Sequence, residues 1–350
     1  MSLIRRNKGC RINDELRFKG LRTIVMENEL LRLTILVGKG TDIIELLYKP
    51  KDIDFMWISP KDFKEGEINR YDFLESYIGG WQEIIPNGGS PCIYKEVSLG
   101  LHDETPLLSW DYNIVEDCYR KISINFYVRL KKIPLFIEKT ISLTSNSPII
   151  YISESIKNIC NEEIDFMWGH HPCFGNSFLS SDCIIDFKSR EIISNSISIS
   201  NFPLVKPNAS GTLESFPDVN GSYINLSKVL GKEEKVADLL YVTKLLKNWF
   251  SITNLKKKLG IGFVFNKDVF RYLYLWLVYG GGNNYPWFSS TYSLAIEPWS
   301  SYPGLGLIEA IKNKTSLKIS PGEVINSWLK VVVFKRDSRV DSIDENCLVT

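Results

Sequence analysis

From Ile122 to Ile159 the chain alternates. Ile122, Ile124, Phe126, Val128 and Leu130 fall on one side of an extended backbone, and Ser123, Asn125, Tyr127 and Arg129 fall on the other. The stretches from Phe136 to Thr144 and from Ile149 to Ile159 continue in the same style, joined by short Ser, Asn and Pro turns. A two-residue period places every second side chain on one face of a strand and does not fit the 3.6-residue period of a helix. Three such runs in succession, with connections too short for a crossover helix, predict an antiparallel meander.

The remaining pattern extends this reading. Leu31, Leu33 and Ile35 alternate with Arg32 and Thr34, and after VGKGTD the run IIELLY completes a hairpin. Residues 50–75 are irregular, with charges and single aromatics. Strands are expected over 259–265, 272–279 and 291–296, and a final hairpin over 315–319 and 324–334. The opening 20 or so residues carry no pattern, and 180–230 read as short strands and loops. Residues 232–250 place Val236, Leu239, Leu240 and Thr243 on a helical face, but Tyr241 and Val242 blur it, so helix and strand both stay open. Strands do not alternate with helices and no fixed repeat is visible. The expected fold is all-β, a large antiparallel β-sandwich, with a single domain over 1–335 and a tail over 336–350.

A chain of 350 residues, 44% of them hydrophobic, can bury a large core. Its formal net charge is +1 and its longest basic run is Lys256–Lys258, which gives no electrostatic footprint for nucleic acid or an anionic membrane. The seven cysteines are odd in number and irregularly spaced, without a C-x-x-C pair, which argues against a disulfide framework or a structural zinc site. No apolar run approaches the roughly 20 residues of a membrane helix, and no apolar segment follows the basic N-terminal residues. A cytoplasmic location is expected.

Chemistry concentrates in four segments. Residues Ser290 to Gly306, STYSLAIEPWSSYPGLG, deliver Glu297 from an alternating run into a Pro, Gly and aromatic loop. Residues 76–91, SYIGGWQEIIPNGGSP, bracket Trp81, Gln82, Glu83 and Asn87 between two glycine pairs. The only histidines are His102, His170 and His171, all expected in loops beside strands. One reading is an open zinc site from His102, His171 and Glu297, but the metal-binding spacings H-x-H and H-E-x-x-H are missing. A serine nucleophile lacks its G-x-S-x-G elbow. The third reading is acid/base chemistry without a metal, with Glu297 and histidine facing each other across a pocket. If 170–171 is extended, the two adjacent histidines point to opposite faces. Trp81, Trp276 and Trp299 accompany these segments, and a flat indole beside polar groups suits a sugar ring.

Five segments, in order, resemble the aldose 1-epimerase (galactose mutarotase) superfamily. LHDETPLLSW, with His102, is similar to its LHG…W segment. HHPCFG, residues 170–175, resembles its H-x-Y/A-F segment, with His171 on the motif histidine. IEPWSSYPG resembles the segment of its catalytic glutamate. GGWQEIIPNGG and YLYLWLVYGGGNNYPWF resemble a branch distinct from the galactose-specific enzymes. The resemblance implies a β-supersandwich with an open cleft and interconversion of the α and β anomers of an aldose or modified hexose, with no cofactor and no metal. It implies Glu297 as base, His171 as acid and His102 as a polarising group. Gln82, Glu83, Asn87, His170 and Trp276 are then expected to contact the sugar. The expected partners are a small-molecule sugar, neither nucleic acid nor membrane and, at most, a second copy in a homodimer. The family's Asn-Arg-Ile segment is replaced by Gly-Gly-Trp-Gln-Glu. Asp268 is the candidate for its sugar-binding aspartate, and Arg271 could meet an acidic or phosphorylated sugar. The alternatives on this fold are a non-catalytic carbohydrate-binding protein, a sugar epimerase or a uronic acid lyase.

Overall fold

A computed structural model describes residues 6, 8–62, 64–175 and 177–350. The meander forms as its alternation requires. Lys121–Arg129, Leu135–Thr144 and Ile149–Asn158 pair antiparallel, with Ile124 opposite Ile141 and Ile141 opposite Ile152. These isoleucines all point inward and are at most 1% exposed. With Val324–Phe334, Leu259–Phe265, Leu245–Asn254, Cys183–Ser189 and Asp111–Asp117 they complete an eight-stranded sheet.

The second sheet has twelve strands, and its centre is the part that matters for function. In spatial order this centre runs Asp42–Tyr48, Trp81–Ile84, Gly169–Phe174, Tyr292–Trp299, Tyr272–Tyr279, Val236–Val242. Its inner face packs on the eight-stranded sheet around rings such as Trp81, Phe174 and Phe263, with centroids 5.1 Å apart for Trp81–Phe263 and 6.0 Å for Phe174–Phe263. Its other face is roofed by loops. Covered on both sides, these strands are uniformly buried, so they show little of the alternation that marks a half-exposed sheet.

One open reading is decided and four expectations change. The expected final hairpin does not form: Leu317–Ile319 pairs with Ile164–Phe166, and Val324–Phe334 pairs with Ile149–Asn158 and Leu259–Phe265. Residues 232–250 form a 3-10 turn, Lys232–Glu234, and a pair of strands, Val236–Val242 and Leu245–Asn254; sheet pairing on both sides overrides the weak helical pattern. The unpatterned start contains an edge strand, Arg11–Phe18, whose mostly exposed residues are under no demand to alternate. The strand through Glu297 continues past Pro298 to Trp299, with Leu273 opposite Pro298. Residues 336–350 pack down instead of trailing: Val340, Ile343 and Cys347 bury against Trp249, Val264 and Val332, and Asp186 accepts from the Val340 amide. No helix among the described residues is long and apolar enough to cross a membrane.

Candidate active site

Strand register decides which side chains meet on the roofed face. Gln82 pairs with His171, and Glu297 pairs with Tyr274, which pairs with Tyr241. Two residues along, Cys173 pairs with Ala295, Ala295 with Trp276, and Trp276 with Leu239. Two further along, Ser293 pairs with Val278, and Val278 with Ala237. From these rows His171, Glu297, Tyr274, Trp276, Leu239, Val278 and Ala237 floor a cleft of about 270 Å³, walled by Phe73, Tyr77, Trp287 and the loops carrying Ser90 and His102.

Glu297 lies at the head of this cleft and is 2% exposed. Because the strand continues through Pro298, Trp299 shares its face, and the Trp299 indole N–H donates to Glu297 Oε2 at 2.8 Å. The indole fits only because Gly88 and Gly169 lie against it: a Cβ on either would approach its ring to 2.3 or 2.2 Å. The other oxygen, Oε1, is 3.5 Å from His171 Nε2. His171 Nδ1 lies 3.2 Å from Cys173 Sγ, which lies 2.8 Å from the Tyr77 hydroxyl.

His102 enters from the opposite wall, its ring centroid 5.6 Å from that of His171. Its backbone is left-handed, with φ +47°, a conformation that is uncommon outside glycine. Its Nδ1 accepts the Gly89 N–H at 3.1 Å, which leaves the hydrogen of the neutral ring on Nε2. The loop is clamped from behind by the buried Glu104, whose carboxylate accepts from the Lys131, Lys132 and Ile133 amides.

Burial sets the protonation of the site. It pushes the Glu297 carboxyl up from 4.5 to about 8, opposed only by the Trp299 hydrogen bond. Burial also lowers His171 from 6.5 to about 4 and holds His102 well below its ordinary range. The Cys173 thiol is raised by the same cause and stays protonated. Near neutrality the Glu297–His171 pair therefore holds one transferable proton, resting on Glu297 Oε1. That proton faces a bare Nε2, which puts the ring hydrogen on Nδ1 toward Cys173 Sγ.

No known family's sequence profile matches the chain, and no curated protein sequence matches it. Solved structures do. A candidate aldose 1-epimerase from Klebsiella pneumoniae superposes with a TM-score of 0.71 at 15% identity, over 94% of this chain and 84% of that one. A galactose mutarotase-like protein from Clostridium acetobutylicum superposes with a TM-score of 0.65 at 15% identity, over 94% and 100%. The fold is the galactose mutarotase-like β-sandwich.

Within this mutarotase-like sandwich, His102, His171, Glu297 and Trp276 line one cleft. The other expected contacts lie elsewhere. Glu83 and His170 occupy the opposite face of their strands, between the two sheets. Glu83 Oε1 accepts from Trp168 Nε1 at 3.0 Å, and its Oε2 is 2.9 Å from the Lys139 ammonium. His170 Nδ1 accepts from Trp81 Nε1, so its Nε2–H donates to Glu154 Oε2 at 3.2 Å. Asn87 is fully buried and joins loops, accepting from the Leu307 amide and donating to the Ser90 and Gly100 carbonyls. Gln82 sits beside His171, but its amide donates to the Gly79 carbonyl and the residue does not line the cleft.

Asp268 is exposed in a turn away from the cleft, and the Arg271 guanidinium is held by the Ser300 and Thr315 carbonyls. Among the described residues, the metal-type ligands that cluster tightly enough for an ion are Glu83, Glu154 and His170, not the His102, His171 and Glu297 set. Lys139, Trp81 and Trp168 already occupy much of that cluster's polar surface, as an interlayer hydrogen-bonded network.

Tyr77, Cys173, Asn195 and Trp287 were not foreseen as cleft or site residues. Cys173 alone carried a local signal: it is two residues from His171, hence on its face of a strand.

Proposed function

We propose that the protein is a mutarotase that interconverts the α and β anomers of an aldose or modified hexose by acid/base catalysis. The observation that carries this reading is the contact of Glu297 Oε1 with His171 Nε2, 3.5 Å apart in a sugar-sized cleft. Anomer exchange moves one proton off the O1 hydroxyl and one onto the ring oxygen O5, so it requires one base and one acid and no net proton. The pair supplies both. In the reactive arrangement the proton has passed to His171. The Glu297 carboxylate takes the O1 proton, and the His171 imidazolium protonates O5 as the C1–O5 bond breaks. This leaves Glu297 protonated and His171 neutral, which is the pair's resting state, with the open-chain aldehyde bound. Rotation about C1–C2 and the reverse transfers close the ring on the other face. In this reading the His102 Nε2–H steadies the ring-oxygen region.

The fold similarity supports this reading without fixing a substrate, because the neighbours share only 10–16% of residues with the chain. A cytoplasmic location accords with seven unpaired cysteines. Saturation-transfer NMR over a panel of free sugars tests the proposal. Enzyme-dependent exchange between anomer signals that disappears in Glu297→Gln is expected. Binding without exchange for every sugar would reduce the protein to a carbohydrate-binding module, and a product with a conjugated double bond would make it a lyase.

A further inference from the structure

The polar groups of the cleft are gathered at one end. Glu297, His171 and His102 line it there, with Ser90 beside the Gly89 amide that His102 accepts from. Elsewhere the amide and hydroxyl side chains are already engaged, and among the described residues the Trp276 and Trp287 indole N–H groups are the donors left without a protein acceptor. Asn195 accepts from the Tyr241 hydroxyl and donates to the Ile197 carbonyl. The Tyr274 hydroxyl donates to the Ser301 carbonyl, and Ser293 donates to that of Phe174. Of the two rows beyond the catalytic row, Trp276, Leu239, Val278 and Ala237 line the cleft, while Cys173, Ala295 and Ser293 lie beneath it. At about 3.4 Å per residue along a strand, these rows begin about 7 Å from Glu297, where the far edge of a pyranose ring would lie. No lysine or arginine lines the cleft among the described residues.

Among hexose derivatives the functional group varies at C6, which is a methyl, a hydroxymethyl, a carboxylate or a phosphate ester. A carboxylate or phosphate buried on this wall would meet no cation and few donors, and a hydroxymethyl would leave its hydroxyl facing hydrocarbon. A methyl packs on Leu239, Val278 and the Trp276 ring and has no polar group to leave unpaired. We propose, building on the mutarotase reading, that the cleft selects uncharged 6-deoxyhexoses, with the methyl edge seated against Trp276, Leu239 and Val278. Hydroxyls directed toward the open mouth stay hydrated.

Matched sugars test this in two readouts, anomer exchange by saturation-transfer NMR and binding by calorimetry. The series are glucose, 6-deoxyglucose, glucose 6-phosphate and glucuronate, and the corresponding galactose series. Within one series the 6-deoxy sugar is expected to exceed its parent by about 10- to 100-fold in kcat/KM and in affinity, the range set by one polar group in an apolar pocket. The phosphate and uronate are expected not to bind. Val278→Thr, which adds a hydroxyl to the wall at constant shape, is expected to narrow the preference. Exchange on parent hexoses with no advantage for the 6-deoxy member, or tighter binding of the phosphate or uronate, overturns the inference and leaves the mutarotase reading in place. Preferential binding of 6-deoxy sugars without exchange overturns the mutarotase reading and leaves the inference in place. No binding by any member overturns both.

Discussion

Replacing Glu297 with Gln probes stability and chemistry together. The carboxyl is 2% exposed, and burial lifts it from 4.5 to about 8. Below pH 4.5 both the folded and unfolded chains hold the proton; between 4.5 and 8 the unfolded chain releases it and the folded protein keeps it. Stability therefore falls as pH rises through this window and levels off above it. At about 1.4 kcal/mol per pH unit, retaining the proton at neutral pH costs on the order of 3 kcal/mol. Glutamine has the same shape, keeps an oxygen for the Trp299 N–H and does not titrate. Glu297→Gln is expected to match the parent near pH 4.5 and to exceed its stability by about 3 kcal/mol at neutral pH, while losing anomer exchange. His171 acts in the opposite direction, adding stability as pH rises from about 4 to 6.5, but it is common to both proteins and drops out of the difference. Urea unfolding midpoints across the window between 4.5 and 8 measure the effect. A difference that does not change with pH would refute the buried neutral acid, and full exchange activity in the variant would refute its role as base.

Trp299→Phe removes the one hydrogen bond that holds the Glu297 carboxyl down, so the alkaline limb of the pH–rate profile is expected to move upward from about 8. Cys173→Val keeps the strand packed and deletes the sulfur contact to His171 Nδ1. Because the Tyr77 hydroxyl and His171 Nδ1 both lose their partner, stability is expected to fall by about 1–3 kcal/mol per group left unpaired, while kcat falls and the imidazole NMR signals report a changed tautomer. Glu83→Ala leaves the Lys139 ammonium buried without its partner and is expected to cost about 3–5 kcal/mol of stability. The sugar KM of the folded fraction should be unchanged, whereas a rise in KM would restore Glu83 as a sugar contact.

The meander was readable because one side of each of its strands is buried and the other is partly open to water. The alternation in 122–159 is the direct imprint of one wet and one dry face. The strands under the site carry less of it, since a core lies on one side and a roofed cleft on the other. His170 and His171 were expected in a loop for this reason, and Glu83 was grouped with the sugar contacts although the pleat sends it to the other face from Gln82. Asn87 and Gln82 looked like ligands because they sit between glycine pairs. Their loops need them instead: Asn87 bonds three separate segments, and Gly79 and Gly80 take φ of +84° and +81° at a close approach to the neighbouring backbone.

By itself the sequence determined the class of fold, the absence of an electrostatic footprint for nucleic acid, and the three segments that carry His102, His171 and Glu297. Composition and short-range period suffice for these, because each is a property of a residue and its near neighbours. Only the tertiary structure decided that Glu297 Oε1 meets His171 Nε2 at 3.5 Å, that Trp299 and Cys173 hold those two groups from behind, and that the cleft beyond them is apolar. These facts depend on the register between strands more than 100 residues apart in the chain, and on a burial that shifts a carboxyl to about 8. Neither the register nor the burial is a local property of the residues involved.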